Sequence, residues 1–358
     1  MKPHQPSLKV FFEIQNLLEK AENNGFAANE NELTALYDHV AKNMEMDSAC
    51  FLGTLMLNTF IKSRSGKLTC ENIYLTQYDV PQIRLFDILI DKLPYVKYSQ
   101  QMVNRQIASL FANVEEGALL DIGIGLGTQV CNVLELLKDN ASLKKLVITG
   151  IEPGSEALLK AEKQVMEMQP QLPFRIEFRG IPGFAENMDL SAIDYGAENL
   201  IVNASLALHH IQKSESRNRL LSQVKLLNPM AFFLVEPNVN HFEPDFMKRF
   251  RNSFNHFYNL FKTIDGLEIE PNEKSALKLF FGREIEDILG KTETDRFEKH
   301  EPASNWIERL ASTGYTLSSE QLSIPVQSEA GVNIRYSDPG FVGFSFENET
   351  ILSVIYAS

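Results

Sequence analysis

A chain of 358 residues, 44% of them apolar and 23% charged, has the composition of a soluble globular protein. Single hydrophobic cores stop growing near about 250 to 300 residues, so a core plus a smaller cap is expected. The formal net charge of -13 argues against a nucleic-acid partner, which needs a basic footprint to release counterions from phosphates.

Cys50, Cys70 and Cys131 form no CxxC pair and no His/Cys cluster, so neither a disulfide framework nor a metal site is expected. The opening MKPHQPSLKVFFEIQNLLEK interrupts its apolar positions with charges and shows no signal-peptide core. No apolar run approaches the roughly 18 residues of a membrane span, and a cytoplasmic protein without a cleaved leader is expected.

Residues 8–113 carry helix-period apolar positions, among them Phe51, Leu55 and Phe60, and define an expected helical cap over 1–115. From residue 116 to 358 the texture changes to short apolar runs alternating with helical segments. ALLDIG, KLVITGIE, FRIEFRG, NLIVNAS and AFFLVEP read as parallel strands joined by crossover helices, an α/β doubly wound core. Residues 242–282 break the rhythm with Phe246, Phe250, Phe254, Phe257 and Phe261 on one helical stripe. This reads as a helical lid inserted after the fifth strand, with Phe246, Phe250, Phe254 and Phe257 expected to wall a substrate pocket. In the tail, GYTLSSEQLSI and FVGFSFENETILSVIYAS return to strand texture, with a hairpin turn expected at Asn348-Glu349. An antiparallel final pair would complete a seven-stranded, Rossmann-like sheet of methyltransferase type.

The first strand ends in Asp121-Ile122-Gly123-Ile124-Gly125-Leu126-Gly127, and a helix starts at Thr128. Glycines at a strand-to-helix turn let backbone amides approach a ligand beside the positive helix end. The spacing GxGxG differs from the dinucleotide pattern GxGxxG. With Asp121 two positions ahead to organise the ligand's amino-acid end, it favours S-adenosylmethionine. The second strand ends in Glu152, where a carboxylate can accept from both ribose hydroxyls. The fourth ends in Asn203-Ala204-Ser205, whose first two residues are further cofactor candidates at the carboxyl edge. His209, His210, Glu236 and His241 follow at the mouth of the fourth and fifth strands and are the candidate acids and bases.

With these residues in view, the chain resembles the GRAS family, best known as plant regulatory proteins, and in particular its bacterial relatives, themselves similar to Rossmann-fold methyltransferases. NASLALHHI, LLNPMAFFLVEPNVNH, DFMKRFRNSFNHFYNLFKTIDGL and FGREIEDILG with the following DRFEKHEPASNWIERLASTGY each resemble a family element, over roughly residues 50–358. Plant members usually lack a third glycine in the turn, so Gly127 strengthens the cofactor expectation here. The resemblance implies that Arg283, His300 and Trp306 are scaffold. The expected function is S-adenosylmethionine binding, with methyl transfer to a small, partly apolar molecule. The alternative is a non-catalytic binding or regulatory protein on the same fold.

Overall fold

The computed structural model describes residues 5–24, 29–45, 47–64, 82–322, 330–337 and 340–358. Five helices come first: α1 (Gln5–Asn24), α2 (Glu30–Ala41), α3 (Ser48–Arg64), α4 (Gln82–Asp91) and α5 (Pro94–Leu110). The start of α3 is fixed by Asp47, whose carboxylate accepts the backbone N–H groups of Ala49 and Cys50 at 2.7 and 2.9 Å. Cys50 and Cys131 are unbridged thiols; Cys70 lies outside the described residues. No helix of the described residues is long and apolar enough to cross a membrane.

A mixed sheet of eight strands follows, in the order β3-β2-β1-β4-β5-β8-β7-β6. Strands β1 (Glu116–Ile122), β2 (Lys145–Glu152), β3 (Arg175–Pro182), β4 (Asn199–Ser205) and β5 (Ala231–Pro237) are parallel to one another. β1, β2, β4 and β5 are almost fully buried, as near-continuous apolar runs in a doubly covered sheet must be, whereas the edge strand β3 is mostly half-buried or exposed. Crossovers are made by α6 (Thr128–Leu136), α7 (Ser155–Glu167) and α8 (Ser214–Leu226). The strand order reverses between β1 and β4, the place where open α/β sheets hold ligands.

The remaining strands, β6 (Val332–Ser337), β7 (Phe341–Phe346) and β8 (Glu349–Ala357), form an antiparallel meander, with β8 antiparallel to β5. The expected count of seven is therefore one short. The extra strand is β6, a mostly exposed edge strand whose VNIRYS lacks a continuous apolar signal. GYTLSSEQLSI does not form a strand in its described part. Only Leu317 makes an isolated bridge, to Ala357, and residues 323–324 lie outside the described residues. The final hairpin turns at Glu347 and Asn348, one residue earlier than expected, with Glu347 at φ 50°.

Two cores sandwich the sheet. One joins Leu119, Ile148, Ile201 and Phe233 to α1–α7 and to the helices after β5; the other joins Leu120, Val202, Phe232 and Leu234 to α8 and α11 (Ala303–Ser312). Between β5 and β6 lie α9 (Phe246–Asp265) and α10 (Pro271–Gly290), which extend eight residues beyond the expected lid boundary of 282. Asp245 caps α9 by accepting the Lys248 N–H at 2.8 Å, and a capping box of Glu270 and Glu273 with Pro271 in the first turn starts α10.

The aromatic stripe of α9 faces inward, but onto protein. Phe250 stacks on Phe11 of α1 with centroids 5.7 Å apart and tilts against Phe60 of α3 at 6.5 Å; Phe254 meets Phe11 at 4.9 Å. Phe250 and Phe257 have no accessible surface at all. A ring lining a ligand-sized void would expose area to a water-sized probe, so these two rings are core and not a pocket wall. Phe254, 6% exposed, and Phe246, whose edge meets Phe60 at 6.0 Å, belong to the same packing. Lys248, Arg249 and Arg251, close together at the start of α9, do not form one solvated face: Lys248 and Arg251 are exposed, whereas Arg249 is buried and donates to the carbonyls of Glu243, Pro244 and Ile288.

Candidate functional site

Two polar clusters flank the strand-order switch, one on each side of the sheet. The first belongs to the glycine turn. Gly123, Gly125 and Gly127 all have positive φ, at 79°, 54° and 80°, a conformation that costs glycine little and other residues much. A Cβ on Gly123 would strike the Cβ of Ala207 at 2.6 Å, whereas one on Gly125 would meet nothing within 4 Å. The turn is thus packed at its base and open at its tip. Glu152, at the end of β2, accepts the Gly125 N–H at 3.2 Å and the Gly154 N–H at 2.9 Å, tying the two cofactor candidates together.

Asp121 and Asn203 are register partners on β1 and β4, and Asn203 donates to Asp121 at 2.8 Å. Gln129 of α6 extends this network to Asn104 of α5 at 3.0 Å. Asp121 is buried, and burial pushes its carboxyl up to about 7, against the lowering effect of the Asn203 bond. The buried Oδ1 of Asn203 has no hydrogen-bond partner among the described residues. Ala204, one residue along β4, points to the opposite face and is fully buried in the second core, so its side chain contacts no ligand over the turn.

The second cluster gathers the four candidate acids and bases. Strand alternation turns Glu236 to the side of α8 and α11, away from Asp121 and Asn203. Leu206 sits at φ 55°, strained for a leucine, and turns the chain so that Ala207 and Leu208 donate their N–H groups to Glu236 Oε1 at 3.2 and 2.7 Å. His209 Nδ1 lies 2.6 Å from Glu236 Oε2. Burial raises Glu236 to about 7 and pushes His209 well below the usual imidazole range, helped by the neighbouring His210 and His300. His241 has no accessible surface, and its Nδ1 is 2.8 Å from Nδ1 of His300. The adjacent histidines lie side by side, their ring centroids 4.0 Å apart, but differ in burial: the His209 side chain is 6% exposed and that of His210 is 36% exposed.

His300, expected to be scaffold, is instead central to this cluster, together with Glu298. Glu298 Oε2 lies 3.5 Å from His209 Nε2 and 3.2 Å from His300 Nε2, and its Oε1 lies 3.6 Å from His210 Nδ1. Burial alone would raise the Glu298 carboxyl, but the surrounding imidazoles, His210 first, hold it well below the usual carboxylate range. Three buried groups lock the backbone here. Arg217 donates to the carbonyls of His209 and Lys299 at 2.8 Å each and to Glu301 at 2.7 Å. Arg296 donates to the His241 carbonyl at 2.8 Å, and Asp287 of α10 accepts the N–H groups of Phe297 and Glu298 at 2.7 Å each. Trp306 does act as scaffold, fully buried with the Arg217 guanidinium 5.1 Å from its ring.

Residues 46–350 match the GRAS domain family. The chain belongs to that family. Among curated relatives, DELLA protein 2 of Medicago truncatula is 24% identical over 233 residues, which cover 62% of this chain and 44% of that protein. The chain spans about half the length of the curated relatives it matches. Among solved structures, SCL7 of Oryza sativa superposes with a TM-score of 0.75 at 19% identity, over 92% of this chain and 94% of that one, a likeness of fold. A looser match, at a TM-score of 0.46 and 16% identity over 93% and 70% of the two chains, is the CurJ carbon methyltransferase. EKHE, which carries Glu298, His300 and Glu301, lay within a segment already matched to the family and was the available signal for the residues that spacing alone did not reveal.

Proposed function

We propose that this GRAS protein binds an S-adenosylmethionine-type nucleoside over its glycine turn and transfers the methyl group to a small, partly apolar molecule. The observation that carries the reading is Gly125: its N–H is tied to Glu152 while the space where a side chain would stand is open. Glu152 keeps acceptor capacity for ribose hydroxyls beyond its two backbone bonds. Asn203, with a buried unpartnered carbonyl oxygen, and Asp121 behind it suit the ligand's ammonium, which would draw the Asp121 carboxyl back to its ionised form. The bound sulfonium supplies an activated methyl group. The chain's part is alignment, which can supply about 7 to 11 kcal/mol of a barrier without a catalytic triad. Of the four candidate acids and bases His210 is half-buried and His209, Glu236 and His241 are buried; all four belong to the cluster across the sheet from Asp121 and Asn203, so the transfer relies on alignment rather than on one of them as a base.

We place the chain with the bacterial, methyltransferase-like branch of the family on its third glycine, Gly127, and in the cytoplasm on its few cysteines. The net charge of -13 disfavours a nucleic acid and supports a small molecule as the partner in this reading. A second reading, ligand binding without turnover, is favoured by one observation: the Phe250 and Phe257 rings are occupied by protein, which removes the apolar pocket wall a substrate would use. Calorimetry with S-adenosylmethionine, followed by assay for its demethylated product, tests both. Saturable binding is expected, weakened at least tenfold, about 1.4 kcal/mol, in Gly125→Val. Absence of binding in the unmodified chain, or equal affinity in a folded Gly125→Val, would sink the site; binding with no product in the presence of candidate acceptors favours the second reading.

A further inference from the structure

We propose that His209, Glu298 and His300 form a binding site for one divalent transition-metal ion of the zinc class. The three side chains each offer one ligand atom, and these atoms lie within 4.8 Å of one another. Zinc ligands at about 2.0 to 2.2 Å in tetrahedral array stand roughly 3.3 Å apart. The Nε2-to-Oε2 separations of 3.5 and 3.2 Å bracket that value. The separations are those of an ion pair, longer than the roughly 2.7 to 2.9 Å of a short charge-assisted bond, and they also fit donors around a shared cation.

The surroundings have the form of a metal site's outer shell. A ligating imidazole holds its other nitrogen on a carboxylate, carbonyl or similar partner, which fixes its tautomer and orientation. His209 does so through Nδ1 to Glu236 at 2.6 Å, and His300 through Nδ1 to His241 at 2.8 Å. In the tautomer that donates from Nδ1 to Glu236, the Nε2 lone pair of His209 faces the Glu298 carboxylate 3.5 Å away, an arrangement that a cation between them satisfies. Arg217 and Asp287 fix the two chain segments that carry the ligands, so the donors are set before an ion arrives. Two imidazoles with one carboxylate select zinc, iron, cobalt or nickel over calcium or magnesium. The ligands are buried, and the half-buried His210 has its Nδ1 3.6 Å from Glu298 Oε1, the oxygen turned away from the two ligating imidazoles.

This site lies across the sheet from Asp121 and Asn203, and the proposal does not rest on the adenosyl-ligand reading. The test uses the full chain, stripped with a chelator and titrated with Co2+ and then with competing Zn2+, with metal counted by mass spectrometry. One equivalent should bind, and Co2+ should give the visible bands of a low-coordinate nitrogen and oxygen site. His300→Ala and Glu298→Gln should each weaken binding at least a hundredfold, and Glu236→Gln by about ten- to a hundredfold. Gly125→Val should leave metal affinity unchanged, which separates failure of this site from failure of the nucleoside site. The proposal is overturned if the unmodified chain takes up no stoichiometric Co2+ or Zn2+ at micromolar concentration. It is equally overturned if variants shown to be folded by circular dichroism bind as the unmodified chain does. Should His300→Ala not fold, His209→Asn serves as the second ligand deletion under the same criterion.

Discussion

His256 of α9 is buried 5.9 Å from the ring of His241, and burial, followed by the charge of His300, lowers it to about 3. Its folded-state value lies below the ordinary 6.5, so near pH 5 the unfolded chain carries a proton that the native state refuses. The stabilising contribution is therefore complete above about 6.5 and is lost at roughly 1.4 kcal/mol per pH unit as the pH falls toward 3. His241, also pushed well below its usual range by burial, acts in the same direction. Between pH 6.5 and 4.5, urea denaturation should show His256→Gln losing about 2 to 3 kcal/mol less stability than the unmodified chain. Equal losses would mean that His256 is solvated. The glycines, Asp121 and Glu152 were legible at this scale because a turn at a strand end has a spacing. Glu298 was not, because a glutamate in a charged run has no local feature that marks it as buried.

At the scale of elements, α9 was readable as a helix with one apolar stripe, but periodicity gives a face and not its partner. The partner is Phe11 and Phe60 of the N-terminal helices, which fill the space assigned to a substrate. Truncating such a ring leaves a cavity, so Phe250→Ala should cost about 3 to 5 kcal/mol in chemical denaturation while leaving affinity for the adenosyl ligand unchanged. Lost affinity at unaltered stability would return Phe250 to a pocket wall. The tail was misread for the complementary reason. β6 shows a mostly exposed edge-strand pattern too weak to register, while GYTLSSEQL has strand-forming residues that tertiary packing turns into a loop and a short 3-10 turn in its described part.

For the whole molecule, the parallel run follows from alternating strands and helices, and the strand texture of the tail pointed to a closing antiparallel pair, which the structure extends to three strands. What no local pattern could show is the pairing of distant segments: His241 with His300 across 59 residues, Arg217 with Glu301 across 84. Those pairings place the candidate acids and bases in a cluster of their own, apart from the cofactor candidates. The account therefore turns on the glycine turn as the nucleoside site. A crystal structure of the chain with S-adenosylmethionine or its demethylated product tests this directly. The ribose hydroxyls should be found on Glu152 and the amino-acid end over Gly125, with Asn203 Oδ1 engaged. A ligand bound with its ribose away from Glu152, or a glycine turn left empty at saturating ligand, would contradict it.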